Sequence, residues 1–154
     1  ITATALVPAT DDAYDLGNAS YKWDDVRATN SSIVTSDRNE KNTITATDLG
    51  LDFVNKLTPV SYNFNGKTRT HYGLIAQDIE TVLTDIGKST TNFAGFIKDT
   101  VDDEGNPMTP KYGLRYGEFI SPMIKAIQEL SAENTALKAR VAALEGWPLS
   151  YYDI

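Results

Sequence analysis

Apolar residues in the last third of the chain recur at alternating spacings of three and four. Ile120, Ile127, Asn134 and Val141 fall at heptad position a, and Met123, Leu130, Leu137 and Leu144 at position d. An unbroken alternation of this kind predicts a coiled-coil seam. The competing reading is an amphipathic helix packed on its own domain, since Phe119 and Ile124 widen the stripe near its start. Further along, alanines and charged residues flank the seam, which favours partner helices. Asn134 at an a position costs stability and fixes register, because its amide must meet another amide or water. Gly146 and Pro148 are expected to end the helix.

Upstream the periodicity shortens. Leu49, Leu51, Phe53, Val54 and Leu57 follow Asp48, a candidate N-cap, and Pro59 stops the run, so a short helix is predicted. Val60–Phe64 alternates apolar and polar residues, Gly66-Lys67 marks a turn, and Tyr72–Ala76 follows, which reads as a hairpin. Gln77–Leu83 reads as a second short helix, with strands predicted at Phe93–Ile97 and Tyr112–Tyr116 and an acidic loop, Asp102–Pro107, between them. Residues 1–35 are rich in Thr, Ala, Ser, Asn and Asp, with sparse apolar positions and turn signals at Pro8 and Leu16-Gly17-Asn18. Short strands suit that composition, but such a segment cannot bury a core alone and must borrow one. It is the first sign of an oligomer.

Composition narrows the classes. The 154 residues are 41% hydrophobic and suffice for one modest core. The chain opens at Ile1 and reads as a piece of something longer. A net charge of −7 without a basic run disfavours nucleic acid and anionic membranes as partners. No apolar stretch reaches the roughly 20 residues of a membrane span. With no cysteine and one histidine, disulfides, thiolate zinc sites, cysteine nucleophiles and all-histidine metal clusters are excluded within one chain, and no metal or cofactor is expected.

Few residues are then left for nucleophilic chemistry, and the segment Thr35-Ser-Asp-Arg-Asn-Glu-Lys41 stands out. Ser36 could act as nucleophile if Lys41 took its hydroxyl proton. On an α-helix the two side chains would lie about 140° apart, so the pairing needs a turn or extended segment. The bland reading of the same segment is a serine, followed by Asp and Glu, that caps a helix or turn.

The surroundings of this pair resemble a known family. Ser36-Asp37 with Arg38 nearby, Lys41, Ile44, an apolar helix, Leu57-Thr-Pro-Val-Ser-Tyr62, Tyr72-Gly-Leu-Ile-Ala-Gln-Asp78 and Tyr116-Gly-Glu-Phe119 before the terminal helix are similar to the intramolecular chaperone peptidases of phage tail fibres and tailspikes, best known from endosialidases. Upstream, Leu6-Val-Pro-Ala, Tyr14-Asp-Leu-Gly-Asn, Tyr21-Lys-Trp23 and Val26-Arg-Ala-Thr-Asn30 resemble the fibre segment that commonly precedes that domain. The family often carries its arginine three residues after the serine, whereas Arg38 comes two after.

The resemblance implies a homotrimeric folding aid within a tail-fibre precursor, folded in the host cytoplasm and released by cutting itself off between Thr35 and Ser36. Ser36 and Lys41 would be catalytic, with Asp37 and Arg38 as supporting residues. The trimer comes from the family; Ile at a, Leu at d and a single Asn at a lean toward two strands. The expected fold is α+β: short antiparallel strands with short helices, a β-rich stub at 1–35, a chaperone and peptidase core at 36–118, a coiled-coil helix at 119–146 and a tail at 147–154. The alternative is a trimerisation tip or receptor-contacting fibre end that never cuts. His71 reads as structural, Gln77 and Asp78 as caps, the aromatic residues Tyr14, Tyr21 and Trp23 as packing between fibre strands, and the acidic loop as a solvated turn.

Overall fold

A computed structural model describes residues 5–30 and 32–146. The expected tail at 147–154 lies outside them. The chain divides into two compact units, one of residues up to Asn42 with Lys98–Lys111, the other of Thr43–Ile97 with the residues from Tyr112 onward.

The second unit holds the core. Helix α1 (Leu51–Lys56) is short because Leu57 turns extended ahead of Pro59. Strands β1 (Val60–Asn63) and β2 (Thr70–Gly73) form an antiparallel hairpin with Val60 opposite Gly73 and Tyr62 opposite His71. Its turn is closed by the Lys67 amide donating to the Phe64 carbonyl at 2.9 Å, with Gly66 at φ +74, a conformation glycine adopts without a Cβ penalty. Helix α2 (Ala76–Asp85) buries Ala76, Ile79 and Leu83 at helical spacing. Ile79 and Leu83 are fully enclosed, beside Leu49, Phe53, Phe96 and Phe119. Phe53, Phe93 and Phe119 form a three-ring cluster, with Phe93 and Phe119 edge to face at 5.2 Å.

Strands β3 (Phe96–Val101) and β4 (Pro107–Leu114) pair as a second two-stranded sheet. They begin and end closer to the acidic loop than the pattern predicts, because Asp102 closes that loop tightly. Its carboxylate accepts the amides of Glu104 at 3.1 Å and Asn106 at 2.7 Å, so pairing runs up to the turn. Phe93 is freed for the core and Tyr116 starts a 3-10 helix (Tyr116–Phe119) that leads into α3 (Ile120–Glu145).

The architecture is α+β with short antiparallel strands and a C-terminal helix, as the sequence implies. Residues 5–30 and 32–37 contain no helix or strand in the single chain. A strand needs a partner and a face to bury, and here Leu6, Val7, Tyr14, Leu16, Tyr21, Trp23, Ile33 and Val34 all stay exposed, in keeping with a segment that must borrow its core. Two local expectations are corrected. Asp48 does not cap α1; Gly50 occupies the N-cap and Asp48 pairs with Lys88. Gln77 and Asp78 do not cap α2 either, since Ile75 stands at the cap without a side-chain bond.

α3 meets its own domain through one stripe only. Phe119, Pro122 and Ala126 are buried, and Lys125 and Glu129 half-buried. All eight heptad residues, Ile120, Met123, Ile127, Leu130, Asn134, Leu137, Val141 and Leu144, are exposed. The stripe that packs at home is thus not the a and d seam.

Candidate functional site

Ser36 and Lys41 both belong to the first unit and are brought together by a local turn. Asp37 is extended and caps a single turn of 3-10 helix, Arg38–Glu40. Its carboxylate accepts the Asn39 backbone amide at 2.8 Å and the Asn39 side-chain amide at 3.1 Å. The Lys41 amide closes the turn on the Arg38 carbonyl at 3.2 Å. Because a 3-10 turn carries about three residues per turn, positions on either side of it return to the same edge. Lys41 Nζ donates to Ser36 Oγ at 2.7 Å.

Both side chains are exposed, as is Arg38 in the intervening turn. The cap of this turn is Asp37, not Ser36, so the capping role falls beside the pair and leaves the serine hydroxyl to Lys41. Two residues beyond Lys41, Thr43 sits at φ +49. A β-branched residue in that left-handed region is strained by about 1–3 kcal/mol, and it marks the point where the first unit passes into the second.

A histidine base is not seated here. The His71 ring stacks on Tyr62 at 5.7 Å and meets Phe64 edge-on at 5.0 Å, as cross-strand packing on the β1–β2 hairpin. Tyr14, Tyr21 and Trp23 stand exposed, and the Asn18 carboxamide holds the turn leading into Tyr21 by accepting the amides of Ser20 at 2.9 Å and Tyr21 at 2.7 Å. In the acidic loop the amides of Asn106 and Glu104 stabilise the charged carboxylate of Asp102 and hold it below the usual range. Among the described residues no helix is long and apolar enough to cross a membrane.

Two features had no clear signal in the sequence. Glu129 on α3 accepts the backbone amide of Leu51 at 2.7 Å, supplying the cap that Gly50 lacks. A Cβ on Gly50 would run into that carboxylate, so the glycine clears the space for it. The Leu51 amide, with help from Lys125 at 3.4 Å, holds the Glu129 carboxyl below its ordinary value. The second feature is an apolar groove of about 590 Å³ in the second unit, between α1, the β1–β2 hairpin and the start of α3. Neither Ser36 nor Lys41 lines it, and none of its lining residues is charged.

Residues 36–88 match the model of a peptidase family described as the chaperone of endosialidase. The match begins at Ser36, spans Lys41 and continues through α1, the β1–β2 hairpin and α2. The resemblance read from the sequence is therefore upheld: this segment is of the endosialidase chaperone type. No curated protein matches the chain.

Among solved structures, the carboxy-terminal domain of the bacteriophage T5 L-shaped tail fibre with its intramolecular chaperone domain is similar over 90% of this chain. The TM-score is 0.65 and the identity 20%, a likeness of fold. The matched region is 39% of that structure's length. A structure described as a novel intramolecular chaperone is 26% identical over 68% of this chain and 99% of its own, with a TM-score of 0.40.

Proposed function

We propose that this chain is the C-terminal intramolecular chaperone of a phage tail fibre or tailspike, that it aligns three copies for folding, and that it then releases itself by cutting between Thr35 and Ser36. The observation that carries the peptidase reading is the 2.7 Å contact between Ser36 Oγ and Lys41 Nζ at the first residue of the family match. On this reading residues 1–35 are the end of the fibre stalk, 36–118 the chaperone and peptidase core, and 119–146 the coiled-coil trimerisation helix.

The chemistry is an acyl transfer. Ser36 Oγ bonds to the carbonyl carbon of Thr35 as Lys41 takes the hydroxyl proton. The bond from that carbon to the Ser36 nitrogen then breaks, and the nitrogen leaves protonated. Water cleaves the resulting ester, giving a Thr35 carboxylate and a chaperone that begins at Ser36. The nucleophile belongs to the segment it cleaves, so each chain turns over once.

A lysine acts as base only when neutral, a form that removal from water favours. In the single chain the pair is exposed, so assembly is the event that would cover it and start the reaction. A geometric threshold works in the same direction, because a misplacement of about 1 Å can cost on the order of 100-fold in rate.

Intact mass under denaturing conditions tests the reading on a longer fibre chain. The expected product begins at Ser36, and Ser36→Ala or Lys41→Ala abolishes it while leaving the oligomer assembled. Cleavage at the same bond in purified Ser36→Ala protein would assign the cut to a contaminating protease. An intact wild-type chain in a stable trimer would identify a permanent trimerisation tip.

A further inference from the structure

The heptads place more than a seam. Position e of α3 is occupied by Ile124, Ser131, Lys138 and Glu145, and position g, counting back one residue from each a, by Phe119, Ala126, Glu133 and Arg140. In parallel helices in register, each g residue faces the e residue that follows it in the neighbouring copy. The resulting pairs are Glu133 with Lys138 and Arg140 with Glu145, both of opposite charge. They are preceded by Ala126 with Ser131, both small, and by Phe119 with Ile124, both apolar. The whole series is complementary in one arrangement, in which all helices run the same way without stagger.

The same wheel decides which neighbour meets what. The domain sits on the g side of its own helix, where Phe119 and Ala126 are buried. The e side is bare, and Ile124 is 52% exposed there. In a ring of three, the bare e side of one copy faces the domain-bearing g side of the next. What waits at that level is the apolar groove, lined by Phe119 at the N-cap of α3, Met123 of α3, Val54 and Leu57 at α1, and Tyr72 and Tyr116. Met123 belongs both to this lining and to the d positions of the seam, so groove and seam form one continuous surface.

We infer that this groove is the socket for Ile124 of the next copy, so that each domain grips its neighbour's helix at the root and the ring closes through three such contacts. The inference rests on the trimeric reading above, and adds a contact between domain and helix that a bare coiled coil would lack. It also accounts for an isoleucine at the one e position level with the groove, where the later e positions are polar.

The native chain has no cysteine, so thiol cross-linking in the full 154-residue protein reads the contact cleanly. Ile127→Cys, at an a position, should oxidise to linked pairs of chains if the helices are parallel and in register. Ile124→Cys combined with Val54→Cys and treated with a short bismaleimide should give a covalent trimer on a denaturing gel, and each single variant should not. Ile124→Cys with Tyr72→Cys repeats the test at an exposed rim position that folding does not need. Linked chains for Ile127→Cys but for neither double variant would overturn the socket and leave the coiled coil standing. Failure of all three would overturn the assembly itself, and the socket with it. As a second readout, Ile124→Asp should weaken assembly by more than about tenfold in sedimentation, because a charge would enter an apolar groove, while Ser131→Asp, also at e, should not. Equal effects of the two would refute the socket.

Discussion

Ser36 and Lys41 are five positions apart, and one turn of 3-10 helix converts that separation into contact. The sequence supplied the two residues and the requirement for a turn, and Asp37, whose carboxylate builds it, appeared only as a possible helper. A cap contact depends on backbone torsions at Asp37 and Asn39 that spacing alone does not specify. Glu129 was wholly illegible, because its partner amide lies 78 residues away in the chain. It nevertheless yields a sharp expectation. Its folded carboxyl titrates below the usual range, so its stabilising contribution is fully present above the range where an unfolded glutamate titrates, and is lost as pH falls through the lowered folded value. Thermal unfolding followed from about pH 6 to about pH 3 should show the native protein losing more stability than Glu129→Gln, which keeps an acceptor but has no charge to lose. Identical acid limbs would remove Glu129 from the account.

At the scale of elements, α1, the β1–β2 hairpin and α3 were legible because each rests on local punctuation or on a long period: Pro59, Gly66, and four heptads. The β3–β4 hairpin was found with its boundaries displaced, because a short apolar run does not say whether a residue such as Phe93 pairs in a strand or fills a core. α3 carries the most testable element. Leu130 and Leu137 lie outside the buried core cluster and are more than half exposed, so truncating them costs the single chain little. In an assembled seam the same truncations should cost roughly 2 to 5 kcal/mol per buried side chain. Leu130→Ala with Leu137→Ala should therefore dissolve the oligomer in sedimentation while circular dichroism of the domain persists, and cleavage should fall with it. A stable native monomer, or undiminished cutting by a monomeric variant, would break the proposed link between assembly and peptidase.

For the whole molecule, the contrast is between a first segment that forms no strand by itself and a second unit with its own core. A strand-rich fibre with long-range pairing folds slowly and exposes sticky edges meanwhile, so an early-forming helical assembly would align its chains before they mispair. Genetic deletion of residues 36–154 should then give aggregated fibre, whereas removal of the same residues by cleavage after assembly should leave a trimer that resists denaturant. Collapse on late removal would make the domain a structural clamp. The uncovered seam of α3 carries one more consequence, and it concerns dilution. On the trimeric reading, an apolar stripe covered by other copies ties the fate of each chain to how many siblings are near it: for three-way closure the ratio of assembled to free domains grows with the square of the free-chain concentration. Solitary chains would keep both fibre and chaperone intact, and the irreversible step would be reserved for places crowded enough to complete a set.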